Sequence, residues 1–175
     1  MYVKQATPLD VSTMSAIVCA SWKSAYRGMV PEPYLNQLTP EYWIPTFEQW
    51  LSANTLQACI AYEAQVPIGC AAYGASVGVD SAAQTPALPE DFGYLSCIYV
   101  HPSYVHKGCG TSLLDAVTQG LVQHGYRHCF LYVLEQNQRA RTFYEKSGFR
   151  WDGATLTCTI EGQPLLDLRY VKPIV

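Results

Sequence analysis

At 175 residues the chain can bury a sizeable core in one compact domain, and 49% hydrophobic against 14% charged residues excludes a disordered polymer. A net charge of -3 with only 11 Lys and Arg, none in a basic run, gives a nucleic-acid partner little support, because neutralising phosphates takes clustered cations. The seven cysteines are odd in number, scattered and without a Cys-x-x-Cys pair, which argues against a disulfide framework and a zinc ribbon. No apolar stretch is long enough to span a bilayer and "MYVKQATPLD" lacks the apolar core of a signal peptide, so the expected location is a reducing cytoplasm with no membrane partner.

Tyr2 to Thr7 predicts a short first strand. In the following segment Met14, Ile17, Val18 and Trp22 recur at helical spacing, and Gly28 can close the helix. Pro31, Pro33, Pro40 and Pro45 break a Tyr- and Trp-rich region into short helices. "LQACIAYEAQVPIGCAAYGASV" predicts two strands turning near Gln65 to Pro67, and "DSAAQTPALPED" a polar loop. "FGYLSCIYV" is another strand. Cys59, Cys70, Cys97 and Cys129 fall in such apolar runs and read as buried thiols. After Gly110, Leu113, Leu114, Val117, Leu121 and Val122 make one helix face that ends at His124-Gly125. "HCFLYVLE" is a strand, and "NQRARTFYEKSG" a short helix capped by Asn137 and stopped by Gly148. "FRWDG" and "LLDLRYVK" finish as strands. Without repeat or linker, residues 1–175 form a single domain of α/β or α+β plan.

The segment "VHPSYVHKGCGTSLL", Val100 to Leu114, joins a strand to a helix through two glycines. Gly108 and Gly110 let a ligand approach the backbone, and the helix start offers N–H groups without intrahelical partners to an anion such as a pyrophosphate. His106 and Lys107 add positive charge and Thr111 a hydroxyl. A nucleotide P-loop is a poor match, since no Lys follows Gly110, and Leu113 replaces the third glycine of a dinucleotide fingerprint. Taken alone, the loop fits a plain turn and a phosphate cradle equally well.

"YVHPSYVHKGCGTSLLDAV" followed by "LYVLEQNQRARTFYEKSGFRWDG" resembles the GNAT superfamily of acetyl-CoA-dependent N-acetyltransferases, strongly from about Phe92 to Gly153. "ATPLDVSTMSAIVCASWKSAYRGMVPEPYL" resembles the first strand and helices of many bacterial members. The resemblance implies a mixed, mostly antiparallel central sheet with a splayed central strand, flanked by helices. It implies acetyl-CoA as acyl donor, a primary amine as acceptor in a ternary complex, and a homodimer as a family-level expectation. It places the backbone of Ile98, Tyr99 and Val100 against the acetyl and pantetheine groups, and wraps the pyrophosphate with Val105, His106, Lys107, Gly108, Cys109, Gly110 and Thr111. Asn137 matches a contact to the cofactor arm and Tyr144 the tyrosine near the sulfur. Val105 stands where the family usually has Gln or Arg, and Tyr94 where many members carry a Glu linked to base catalysis.

Acetyl transfer to an amine needs a polarised carbonyl, a stabilised thiolate and a neutral amine. Tyr144 is the candidate donor to the thiolate. Tyr94 is one candidate base; its other reading is a packed strand aromatic. Glu90 and Asp91 precede the key strand and either attract a cationic amine or form an exposed acidic loop. Trp22 and Tyr26, four apart on a helix, line an acceptor pocket or belong to the core. His101, His106, His124 and His128 show no metal spacing, so no metal is expected. Because Val105 and Tyr94 depart from the family pattern, a non-catalytic acyl-CoA sensor is the alternative to the enzyme.

Overall fold

The computed structural model describes residues 1–76 and 88–175, so most of the "DSAAQTPALPED" loop lies outside the described residues. Strand β1 (Tyr2–Gln5) leads through a 3-10 turn into helix α1 (Val11–Ala25). The proline-rich region forms two short helices, α2 (Glu32–Gln37) and α3 (Ile44–Ser52), each with a proline in its first turn, where the missing N–H costs nothing. Strands β2 (Leu56–Glu63) and β3 (Val66–Gly74) form the expected hairpin, its turn made by Ala64 and Gln65 at φ 45° and 72°. Strand β4 (Phe92–Val100), helix α4 (Cys109–Gln123), strand β5 (His128–Leu134) and helix α5 (Gln138–Lys146) follow.

The chain ends in a hairpin, β6 (Arg150–Ile160) and β7 (Gln163–Pro173), longer than the sequence predicts. Gly153, φ 94°, reads as a strand end but sits inside an irregularity between Trp151 and Thr155. There Asp152 Oδ1 accepts from Ala154 N (2.9 Å), Trp151 Nε1 donates to Ala154 O (3.0 Å), and pairing resumes beyond.

Among the described residues seven strands make one sheet in the order β1-β2-β3-β4-β5-β7-β6. All neighbours are antiparallel except β4 and β5, which the α4 crossover makes parallel. Helices α4 and α5 cover one face, where Leu113, Leu114, Val117 and Leu121 pack on Leu95, Leu131, Phe149 and Leu168. Helices α1 and α3 cover the other, with Met14, Ile17, Val18 and Phe47 on Leu56, Ala58, Ile60 and Ala72. On that same face Val30, Leu35 and Leu38 from the α1–α2 turn, α2 and its end pack on Leu134 and Leu165. No helix among the described residues is long and apolar enough to cross a membrane.

Candidate active site

The parallel pairing of β4 with β5 lasts three residues, from Phe92 opposite His128 to Tyr94 opposite Phe130. Beyond Tyr94 the strands part, each still held on its outer side, β4 by β3 and β5 by β7. The register of β3 against β4 also slips at this point. Tyr73 faces Leu95 and Ala72 faces Cys97, so Ser96 is the extra residue of a bulge that bends β4 as it leaves β5. His101 N donates to Ile68 O (2.8 Å). By antiparallel alternation the backbone of Cys97 and Tyr99 therefore faces β3, and that of Ile98 and Val100 faces the opening.

A cleft of about 730 Å³ occupies the opening. Its walls come from the end of α1 (Ser21, Tyr26), the parted strands (Leu95 to Val100, Tyr132 and Val133), the glycine loop and α5. At the loop, His106 has φ 63° and Gly108 φ 83°, two left-handed residues that turn the backbone abruptly into α4. The first intrahelical bond is Ser112 N to Gly108 O (3.0 Å), and no side chain caps the helix. The N–H groups of Cys109, Gly110 and Thr111 are thus left without helical acceptors at the positive end of the α4 dipole. Gly110 packs against α5, since a Cβ there would stand 3.4 Å from the Phe143 ring.

Helix α5 supplies the facing wall. Asn137 is buried and caps it, its Oδ1 accepting from Ala140 N at 3.0 Å. Tyr170 of β7 holds the middle of the helix: it accepts from Arg141 Nε (3.1 Å) and donates to Glu145 Oε1 (2.7 Å). The helix so anchored presents Phe143 and Tyr144 to the cleft. Burial pushes the Tyr144 phenol far above the ordinary value for tyrosine, with nearby Tyr26, Cys97, Cys129 and Tyr94 adding to the rise.

On the opposite face the site is aromatic. Trp22 packs on Tyr26 (centroids 4.5 Å apart), Trp43 (5.5 Å) and Tyr34 (5.9 Å). Burial raises the phenols of Tyr26 and Tyr94 to about 12. Both also feel the charge of Asp167 on β7, a carboxyl raised by its own burial to about 6.

Of the residues singled out in the sequence, the cleft wall brings together Ile98, Tyr99, Val100, Val105, His106, Gly108, Cys109, Gly110, Thr111, Asn137, Tyr144 and Tyr26. Lys107 is not part of the wall, and its Nζ stands 4.9 Å over the ring of Tyr104, which is. Trp22 is part of the aromatic packing rather than of the wall. Tyr94 lies where the strands begin to part, its ring against Phe130 (5.0 Å) and outside the wall, and burial pushes its phenol up to about 12. Glu90 and Asp91 stand at the other end of β4 from the glycine loop, and Asp91 Oδ2 is 3.1 Å from His128 Nδ1. Both acids are therefore remote from the cleft. Tyr132 on the wall, and Asp167 outside it, were not singled out in the sequence. The available signal for Asp167 was a lone acid in the apolar run "PLLDLRYV", a strand buried on both faces, where a carboxyl is costly. Among the described residues no group of three or more His, Cys, Asp or Glu could hold a metal ion.

A probable N-acetyltransferase of Mycobacterium tuberculosis is 28% identical over 158 residues, covering 89% of this chain and 83% of that protein. A spermidine N(1)-acetyltransferase of Thermoplasma acidophilum is 28% identical over 144 residues, covering 81% of this chain and 83% of that protein. An N-acetyltransferase of Thermoplasma acidophilum, solved in complex with coenzyme A, shares the fold with a TM-score of 0.70 at 22% identity, covering 99% of each chain. The family model described as the acetyltransferase (GNAT) family matches residues 22–149, a span that contains the parted strands, the glycine loop and α5. With that match over most of its length, the chain belongs to the GNAT family of acetyltransferases and is an N-acetyltransferase-type enzyme.

Proposed function

We propose that the chain, acting as a single domain, transfers the acetyl group of acetyl-CoA to a primary amine by direct attack in a ternary complex. One observation carries the reading: the free backbone edge of Ile98 and Val100 runs, in a single cleft, up to the unpartnered N–H groups at the start of α4. An extended pantetheine arm adds to such an edge as a strand would, and a pyrophosphate suits such a helix start. These contacts come from the backbone, so Val105 in place of Gln or Arg leaves them intact. The same edge donates to the thioester carbonyl as charge develops on its oxygen. Tyr144, kept protonated by burial, donates to the departing thiolate, and Asn137 contacts the cofactor arm.

The family is one of enzymes, which weighs against a non-catalytic sensor. The seven cysteines are all free, which favours a reducing cytoplasm as the place of reaction. Calorimetric titration with acetyl-CoA, beside a Gly108→Glu variant, tests the site. We expect saturable binding to the wild type and none to a folded variant, because the new carboxylate meets the pyrophosphate. Initial rates of thiol release should then give intersecting double-reciprocal lines across an amine panel. Parallel lines would replace direct attack by an acetyl-enzyme, and a folded wild type that binds no acetyl-CoA would sink the reading.

A further inference from the structure

We propose that Asp167 is the anionic subsite of the acceptor pocket, taking an ammonium group of a cationic amine on the α1 face of the sheet. The inference rests on the transferase reading and names its acceptor class. Asp167 lies on β7 opposite Leu134 of β5 and Leu156 of β6. Leu165, two residues before it, packs under the α1–α2 turn with Val30 and Leu35, which puts the side chain of Asp167 on the same face. Gln163 Nε2 donates to Met29 O (3.3 Å) and ties the hairpin to that turn, whose Met29 and Tyr26 line the cleft. Asp167 therefore sits beside the mouth that the parted strands open toward α1, half-buried and still reached by solvent.

The groups around it leave the carboxylate without a cation. On β6, Cys158 Sγ donates to Asp167 Oδ2 at 3.8 Å, a weak bond. On β5 the nearest titratable side chain of this face is Tyr132, opposite Arg169. On β7 itself Arg169 Nε is 2.7 Å from Asp152 Oδ2, so that guanidinium is already paired. Tyr94 of β4 and Tyr26 at the end of α1 feel the Asp167 charge, and both are neutral phenols. The rise of the Asp167 carboxyl comes from burial and is opposed by the Cys158 hydrogen bond, with no cation among its causes. A desolvated carboxyl whose charge is felt by Tyr26 and Tyr94 matches an alkylammonium in charge. Two ammonium groups share this chemistry: the reacting amine itself, or a second cation elsewhere on the acceptor.

The test is calorimetric binding of propylamine and of 1,3-diaminopropane to the CoA-saturated protein at pH 7.5, for the wild type, Asp167→Asn, Asp167→Ala and Asp167→Glu. Melting curves and acetyl-CoA affinity serve as fold controls. The expected result is binding to the wild type, weakened about tenfold or more in Asn and Ala as a charged hydrogen bond is lost, and partly kept by Glu. Weakening confined to the diamine assigns the subsite to a second ammonium, and weakening of both amines assigns it to the reacting one. A wild type that binds neither amine, or an Asn variant that binds both equally well, overturns the proposal. Turnover is read separately. A wild type that binds ammonium through Asp167 but transfers no acetyl group keeps the subsite and rejects the transferase.

Discussion

Burial holds the Tyr144 phenol well above the ordinary value for tyrosine and favours its neutral form. Such a group is suited to donate to a thiolate. Removing the hydroxyl therefore acts on the step in which charge appears on sulfur. Tyr144→Phe is expected to lower kcat by about 10²-fold while the affinity for acetyl-CoA stays within about twofold. Equal losses in binding and turnover would show that Tyr144 only shapes the wall. This residue was legible because "FYEKSGF" is a local pattern. Asp167 was not, because a strand acid becomes informative only once the elements covering both faces of the strand are known.

At the scale of elements, α5 is fixed by a cap at one end and by Tyr170 in its middle. Asn137 both caps the helix and lines the cleft, and substitutions can separate the two tasks. Asn137→Ala should destabilise the fold by about 1 kcal/mol and also weaken acetyl-CoA binding. Asn137→Asp keeps a capping oxygen, so urea unfolding should find it near wild type while calorimetry finds acetyl-CoA binding weakened. If Asp binds acetyl-CoA as well as Asn does, the amide makes no contact with the cofactor. Helix ends of this kind were readable: Asn137, His124 and Gly148 each mark a boundary that the structure has. The last hairpin is longer than its sequence suggests because a glycine such as Gly153 signals a strand end, whereas here it turns an irregularity inside a continuing strand. The slip at Ser96 left no sequence signal at all; it depends on how β3 pairs across from β4.

For the whole molecule, the strand order put the β6–β7 hairpin beside β5, and with it a carboxyl into the interior near the cleft. That placement was beyond the sequence, since pairing between distant strands is decided by packing of the complete sheet. It links stability to pH. Burial raises Asp167 from an ordinary 3.8 to about 6 in the folded chain, so the folded state prefers the protonated acid. Below the unfolded value the acid is protonated in both states and its contribution is fully present. As pH rises through about 6 the folded chain must ionise a desolvated carboxyl, and that contribution is lost. Asp167→Asn removes the loss. The variant should match the wild type most closely near pH 4 and be the more stable by ~2 kcal/mol above pH 7, a figure discounted for the solvent that still reaches the group. Urea unfolding from pH 4 to pH 8 checks this, and a stability difference that stays constant over the range would show that Asp167 ionises in the fold as freely as in the unfolded chain. A cationic acceptor seated on Asp167 supplies the missing partner, so above about pH 6, where the carboxyl is charged, it should stabilise the wild type more than the Asn variant.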